Sequence, residues 1–197
     1  MKNKYVRRAR IDEKKFKEIL RYFAHDMQAN QIALLTGLSR NSINSYLKAI
    51  RHSILSKYTH YDRYAIGSVT PQLFVLQILQ NGVTVDPLPT HINTEIMKYL
   101  RDQSETLLTN VLGRHYSAVI DYSEKRLYCL HEEEPELQKQ IVNSFWHYTR
   151  LRLMKFRGLS PQTTLMHIKE CEFRFNHREK NLYRMVLTHF RKNPLKL

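Results

Sequence analysis

A glycine between two helical patterns places the tightest restriction on how the first sixty residues can fold. Gly37 lies in the segment Thr-Gly-Leu-Ser at 36–39, and without a Cβ it can adopt the positive φ that a tight interhelical turn requires. Ser39 is suited to cap the next helix. Ala33 lets two helices cross closely, and Ile43 fills the wedge between them. This pattern predicts a helix-turn-helix.

The flanking residues extend the pattern to a three-helix module over residues 1–57. Asp12 is suited to cap a first helix with an apolar stripe from Phe16 to Phe23, and a second helix is expected over 30–35. The third helix buries Ile43, and a linker is expected at 56–59. The remaining face of that helix exposes polar residues, namely Arg40, Asn41, Ser42, Asn44, Ser45, Lys48 and Arg51.

These polar residues have the chemistry of a surface that contacts duplex DNA. Arg suits guanine edges, Asn suits adenine edges, and more distant Lys or Arg can meet phosphates. An N-terminal basic arm with Arg7, Arg8 and Arg10 is typical of segments that follow phosphates or the minor groove. The alternative is a three-helix protein-interaction module, which the basic arm disfavours. Double-stranded DNA is therefore the expected partner.

Charge is segregated along the chain. Of the net charge of +14, residues 1–57 contribute 13 Lys and Arg against 4 Asp and Glu. Residues 58–142 hold 7 against 11, and residues 143–197 hold 12 against 3. Two basic surfaces flanking an acidic scaffold favour a polyanionic partner over a membrane surface. No apolar run approaches the roughly 20 residues needed to span a bilayer, and no signal peptide is recognised. Two cysteines suit a reducing compartment, so a prokaryotic, nucleoid-associated cytoplasmic location is expected.

The second domain, residues 58–197, is predicted to be mixed α/β or α+β. Buried strands are expected at 73–79 and 83–85 around the hairpin signal Asn81-Gly82, and a helix at 90–102. A strand at 106–109, a helix at 114–119 and a strand at 126–130 follow. Helices are then predicted over 135–156, 160–175 and 179–191.

Two C-terminal segments carry sequence motifs that are more specific than the predicted helices and strands. Residues 143–146 read Asn-Ser-Phe-Trp and open a basic helix carrying Arg150, Arg152, Lys155 and Arg157 before Gly158. Residues 169–176 read Lys-Glu-Cys-Glu-Phe-Arg-Phe-Asn. In their order and spacing these motifs resemble the C-terminus of small insertion-sequence DDE transposases. That resemblance implies an N-terminal helix-turn-helix and an RNase H-like second domain whose basic helices add DNA contacts.

The family carries three acidic residues that hold two Mg²⁺ ions for phosphodiester hydrolysis and strand transfer. By the resemblance, the equivalent positions here are Asp62, Asn110 and Asn143, with Arg150 as the basic residue of the same helix. One carboxylate of three remains, and Asp62 alone could ligate metal. A DNA-binding protein with an impaired nuclease centre and no cofactor is therefore expected. Asp102 or Asp121 would substitute only under a different alignment.

Other interpretations stay open at this point. An active transposase would use Asp62 and Mg²⁺, and an interaction protein would dock a partner through the RNase H-like domain. A homodimer is a further possible assembly. His147 and Arg150 with Tyr183 follow the order of a tyrosine recombinase site, which requires a Tyr nucleophile. Four residues make a zinc site conceivable without the paired spacing of strong zinc motifs, namely Cys129, His131, Cys171 and His177.

Overall fold

The computed structural model describes residues 3–59, 73–80, 82–102, 105–113, 115–130, 135–156 and 159–197. It divides into two compact units, Met1–His60 with His177–Leu197, and Tyr61–Asn176. In chain order the elements are β1 (Val6–Arg7), α1 (Glu13–Ala24), α2 (Ala29–Thr36), α3 (Arg40–Tyr58), β2 (Leu73–Leu79), β3 (Gly82–Pro87), α4 (Thr90–Arg101), α5 (Glu105–Leu112), β4 (Ala118–Asp121), β5 (Arg126–Cys129), α6 (Glu136–Leu153), α7 (Pro161–Asn176), α8 (Leu182–Lys192) and β6 (Leu195–Lys196).

The first three helices begin and end where the local sequence signals predict. Asp12 caps α1 by accepting a hydrogen bond from the Lys15 N–H. Gly37 ends α2 in the left-handed conformation at φ 69°, and Ser39 caps α3 by accepting from the Ser42 N–H. The apolar stripes face inward and form one core, made of Phe16, Ile19, Leu20, Phe23, Ile32, Ile43, Leu47 and Ile50.

The C-terminal 21 residues belong to this first unit, whereas the sequence placed them in the second domain. β1 pairs in parallel with β6, with Val6 opposite Leu195. α8 packs against α1, and Phe190 makes an edge contact with Phe16 at 5.9 Å between ring centres. These contacts join residues far apart in sequence, which is why no local pattern predicted them. The linker expected at 56–59 is also wrong, because α3 continues to Tyr58.

The second unit contains a four-stranded antiparallel sheet in the order β3-β2-β4-β5. Its core lies between the sheet and α4 and α5, and includes Leu73, Val75, Ile96 and Val119. The β2–β3 hairpin is confirmed, and β3 extends to Pro87. The described residues therefore form a mixed α+β protein.

Two predicted elements in this unit are wrong. The strand expected at 106–109 lies inside the helix α5, and part of the helix expected at 114–119 is the strand β4. β4 is paired on both sides, and all four of its residues are buried. An apolar run that is buried on both faces lacks the alternation of polar and apolar residues that marks a strand. The sequence pattern therefore did not distinguish a strand from a helix at β4.

α6 and α7 complete the second unit. α6 begins after Pro135, as predicted, and ends at Leu153, short of the expected Phe156. α7 packs on β3, at the edge of the sheet. α7 carries the motif at 169–176, and nearly all of its side chains are buried.

Candidate nucleic-acid interface

The N-terminal half of α3 separates its buried and exposed residues cleanly. Ile43, Leu47 and Ile50 have almost no solvent exposure, because helical periodicity turns them towards α1 and α2. Six of the predicted DNA-contacting residues are exposed on the remaining surface of the helix: Arg40, Asn41, Ser42, Asn44, Ser45 and Lys48. The structure thus brings these six onto the accessible part of one helix.

The hydroxyl groups at the start of α3 are already engaged locally. Ser42 Oγ lies 2.9 Å from Ser39 Oγ, and Ser45 Oγ donates to the Asn41 carbonyl at 3.1 Å. These bonds hold the two serines close to the helix backbone. Arg40, Asn44 and Lys48, whose side chains are exposed, form no such bond within the described residues.

Arg51, the last residue of the predicted DNA-binding face, differs from the others. It is half-buried, and its guanidinium carbon lies 6.0 Å from the centre of the Phe23 ring. This arrangement is a cation–π contact with α1. Arg51 therefore joins α3 to α1, at the edge of the exposed face.

The N-terminal basic segment is held against the first unit. Tyr5 and Val6 are buried, and the Leu195 N–H donates to the Tyr5 carbonyl at 2.8 Å. Arg7, Arg8 and Arg10, in contrast, are exposed. The described arm thus presents three cations from an anchored backbone, which reduces the entropy lost when they meet a partner.

The positions that the resemblance would equate with catalytic residues lie on two helices where the structure describes them. Asn110 is exposed on α5, not after a strand as expected, and Asn143 and Arg150 are exposed on α6. Asp62 lies outside the described residues. Asp121 is buried, and its Oδ1 accepts from Ser123 Oγ and the Glu124 N–H, so it stabilises the β4–β5 turn.

The basic surface expected on the C-terminal helices is only partly present. Arg150 and Lys155 are exposed, and Arg157 lies outside the described residues. Arg152 is buried with 2% exposure, and its Nη2 lies 2.7 Å from Glu170 Oε2. Its prediction as a phosphate ligand is therefore wrong. The i, i+2 spacing from Arg150 placed it on the opposite side of α6, a signal that was overlooked.

Glu170 is the centre of a buried ionic cluster. Its Oε1 also accepts from Arg174 Nε at 2.9 Å, and His167 Nδ1 lies 3.6 Å from Oε2. Arg152 Nη1 lies 3.5 Å from the Cys171 sulfur, and burial raises the pKa of that thiol. Cys171 is therefore a structural residue, and Cys129 is exposed on β5, which disfavours a joint zinc site.

A second set of α7 side chains covers the free edge of the sheet. Asn176 accepts from the Val83 N–H at 2.8 Å and donates to the Val83 carbonyl at 2.7 Å. Glu172 Oε2 accepts from the Val85 N–H at 3.0 Å. The Asn176 amide lies so close to Gly82 that any Cβ there would collide with it. The side chains thus bond to β3 as another strand would, which protects an otherwise open edge.

Lys169 completes this second set. Its Nζ lies 2.8 Å from Glu172 Oε2 and 2.8 Å from Asp86 Oδ1, and the side chain has no solvent exposure. The motif at 169–176 is therefore explained by structure: it holds α7 to α6 and β3. Sequence analysis missed this role, although the spacing of Lys169, Glu172 and Asn176 places all three on one side of a helix.

Glu172 makes the stability of the second unit depend on pH. Burial raises the pKa of Glu172 to about 7, and the Lys169 cation opposes that rise. The folded state then keeps a proton that the unfolded chain loses above its ordinary pKa of 4.5. We expect this group's contribution to the free energy of unfolding to be complete below pH 4.5 and lost as the pH rises to about 7, by up to about 3 kcal/mol.

Urea titrations that follow the fluorescence of Trp146, the one tryptophan of the chain, measure this slope in the second unit. Glu172→Gln should remove most of the slope, and the exposed control Glu124→Gln should retain it. An unchanged slope in Glu172→Gln would assign the pH dependence to other groups.

None of the described helices is long and apolar enough to cross a membrane. Within the described ranges, no three His, Cys, Asp or Glu side chains are grouped to hold a metal ion. Searches against protein-family models, curated proteins and solved structures gave no match.

Proposed function

We propose that this protein binds duplex DNA through a helix-turn-helix in which α2 supports α3 in the major groove. The observation that carries the proposal is the exposed surface of α3, where Arg40, Asn44 and Lys48 are accessible while the apolar residues of the same helix are buried. Arg40 and Asn44, which can each form two hydrogen bonds to one base, lie nearer the start of the helix. Lys48, which can bind a phosphate, follows them. The chain's net charge of +14 supports a polyanionic partner.

The anchored arm supports the same assignment. Arg7, Arg8 and Arg10 are exposed in the same unit as α3. In the proposal they contact phosphates or the minor groove and set the register of α3 on the duplex. Sequence preference then comes from α3, and a large part of the affinity comes from counterion release.

The resemblance to insertion-sequence transposases extends the proposal to the second unit. We infer a domesticated or inactivated transposase whose RNase H-like domain persists in reduced form, and which regulates, organises or targets DNA. The mixed α+β composition is compatible with that inference, although the described strands of the second unit pair only antiparallel. The motif at 169–176 supports persistence of the scaffold, because its side chains form the buried network on α6 and β3.

A pair of lysines on α3 tests the proposed contact with phosphates. Lys48 and Lys57 are both exposed, and the 1.5 Å rise per residue places them about 13 Å apart along α3. Lys48→Ala in the full chain should weaken binding to all duplexes and reduce the slope of log affinity against log salt by about one. The matched control Lys57→Ala should keep the parent slope. Equal slopes in all three proteins would contradict contact at Lys48.

We expect the protein not to cleave or join DNA in Mg²⁺ or Mn²⁺. Two divalent ions need several carboxylates to offset their repulsion, and the family-equivalent positions supply Asp62 with the neutral amides of Asn110 and Asn143. Gel assays on supercoiled and linear DNA, with calorimetric Mg²⁺ titration, measure both properties. Asn110→Asp combined with Asn143→Glu should strengthen Mg²⁺ binding if these positions converge. Robust cleavage that Asp62→Ala abolishes would restore the active transposase.

A further inference from the structure

The two short strands β1 and β6 form a ribbon in the first unit, which we call the arm ribbon. In its register Val6 lies opposite Leu195, and Arg7 lies opposite Lys196. Successive side chains of a strand point to opposite faces, so the apolar pair is buried and the cationic pair is exposed. β6 also packs against α3. The arm ribbon therefore presents two cations side by side on the unit that carries α3.

The loop that carries β1 is fixed at its base and at its far end. At the base, Asn3 Nδ2 donates to the Ile11 carbonyl at 3.3 Å and to the Asp12 carbonyl at 3.2 Å. At the far end, burial raises the pKa of Tyr46 on α3 and the neighbouring Arg10 opposes that rise, so the loop reaches α3. The cations of the arm ribbon are thus held in place before any partner binds, which lowers the entropy lost on binding.

The cationic pair has no counterion within the described part of the chain. No ion pair there includes Arg7 or Lys196, although Lys4 of the same loop pairs with Glu13 at 3.4 Å. Paired strands lie about 4.8 Å apart, so the two like charges repel each other unless an anion neutralises them. A phosphate group accepts hydrogen bonds from both Arg and Lys and supplies that charge. The pair therefore fits a phosphate from outside the chain.

We propose that the arm ribbon is a second DNA contact of the first unit, in which Arg7 and Lys196 bind phosphates beside the duplex segment that α3 contacts. This contact rests on the proposed function, because duplex DNA is the polyanion that α3 brings next to the ribbon. It adds Lys196, which lies almost the whole chain away from the helix-turn-helix in sequence, to the DNA interface. Phosphate contacts add affinity and fix orientation without reading bases.

Salt titrations of the DNA affinity of the full chain test the arm ribbon. Lys196→Gln should weaken binding to preferred and unrelated duplexes alike, and should reduce the slope of log affinity against log salt by about one. Lys196→Arg keeps the cation and should retain the parent slope. The matched control Lys57→Gln, at an exposed position of α3, should also retain it. Because Lys196→Gln removes a repulsive charge, its melting temperature should equal or exceed that of the parent.

The outcomes separate the arm ribbon from the contact of α3. If Lys196→Gln keeps the parent slope while Lys48→Ala reduces it, the ribbon contact is wrong and the proposed function stands. If the parent protein binds no duplex, both are wrong. A reduced slope in Lys196→Gln that Lys196→Arg restores supports the ribbon contact. Should Lys196→Gln melt below the parent, Arg7→Gln in the same titration provides the decision, and an unchanged slope there overturns the proposal.

Discussion

Replacing Glu170 with alanine should destabilise the second unit by about 3–5 kcal/mol, a large part of the stability of a small domain. The Glu170 carboxylate is 1% exposed and lies within 3 Å of Arg152 Nη2 and Arg174 Nε. Both guanidinium groups are almost fully buried and would lose their anionic partner. A guanidinium cannot escape this cost by losing its proton, so the charge stays buried or the helices separate.

Urea unfolding followed through Trp146 measures this change. Glu136→Ala, at an exposed position on α6, is the matched control and should change the midpoint little. Converting the two guanidinium groups and their carboxylate to apolar residues, Arg152→Met with Glu170→Leu and Arg174→Met, should restore much of the lost stability, because none of these three groups then buries a charge. A Glu170→Ala protein as stable as the parent would show that the cluster is not closed in solution.

Removing the side chains of Arg40 and Asn44 together should lower the affinity for a preferred duplex by about hundredfold or more. Each bidentate contact to a base edge contributes about 1–3 kcal/mol of discrimination. Affinity for an unrelated duplex should fall much less, because most of the phosphate contacts remain. The double variant Arg40→Ala with Asn44→Ala should therefore lose specificity more than it loses binding.

Arg21→Ala with Asn193→Ala is the matched control for that variant. It removes the same two residue types from exposed positions of the first unit that lie off α3. Fluorescence anisotropy at fixed salt, with one preferred and one unrelated duplex, compares the two variants. Equal losses in the variant and the control would mean that α3 does not read bases.

The first unit shows which features a sequence can specify alone. Asp12, Gly37 and Ser39 act within three residues of themselves, through a cap or a positive φ, so their effects are visible without any tertiary contact. The periodic burial of α1 and α3 follows from the same local geometry. The exposed face of α3 was predictable for this reason.

Features that depend on distant partners were not predictable in the same way. β1 and β6 have two residues each, and they exist because Val6 meets Leu195 across nearly the whole chain. β4 is a strand because β2 and β5 bond to both of its edges. Residues 105–112 form a helix despite β-branched residues, since packing overrides weak propensity.

The C-terminal motif shows the same limit for function. A basic helix with Arg150 and Arg152 predicts a phosphate-binding surface from charge alone, but burial assigns Arg152 to Glu170. Glu172 and Asn176 of the motif, which the resemblance marks as characteristic, bond to the backbone of β3, and Glu170 pairs with arginines.

Selection of binding sites by the full chain from a pool of randomised duplexes tests the central claim most directly. The account predicts an enriched sequence bound at least about 10³-fold more tightly than unrelated DNA at physiological salt. It also predicts that Asn44→Ala relaxes the selected sequence at the base that Asn44 contacts, while Lys57→Ala selects the parent sequence. Failure to enrich any sequence, or an identical sequence selected by Asn44→Ala, would contradict sequence-directed DNA binding through α3.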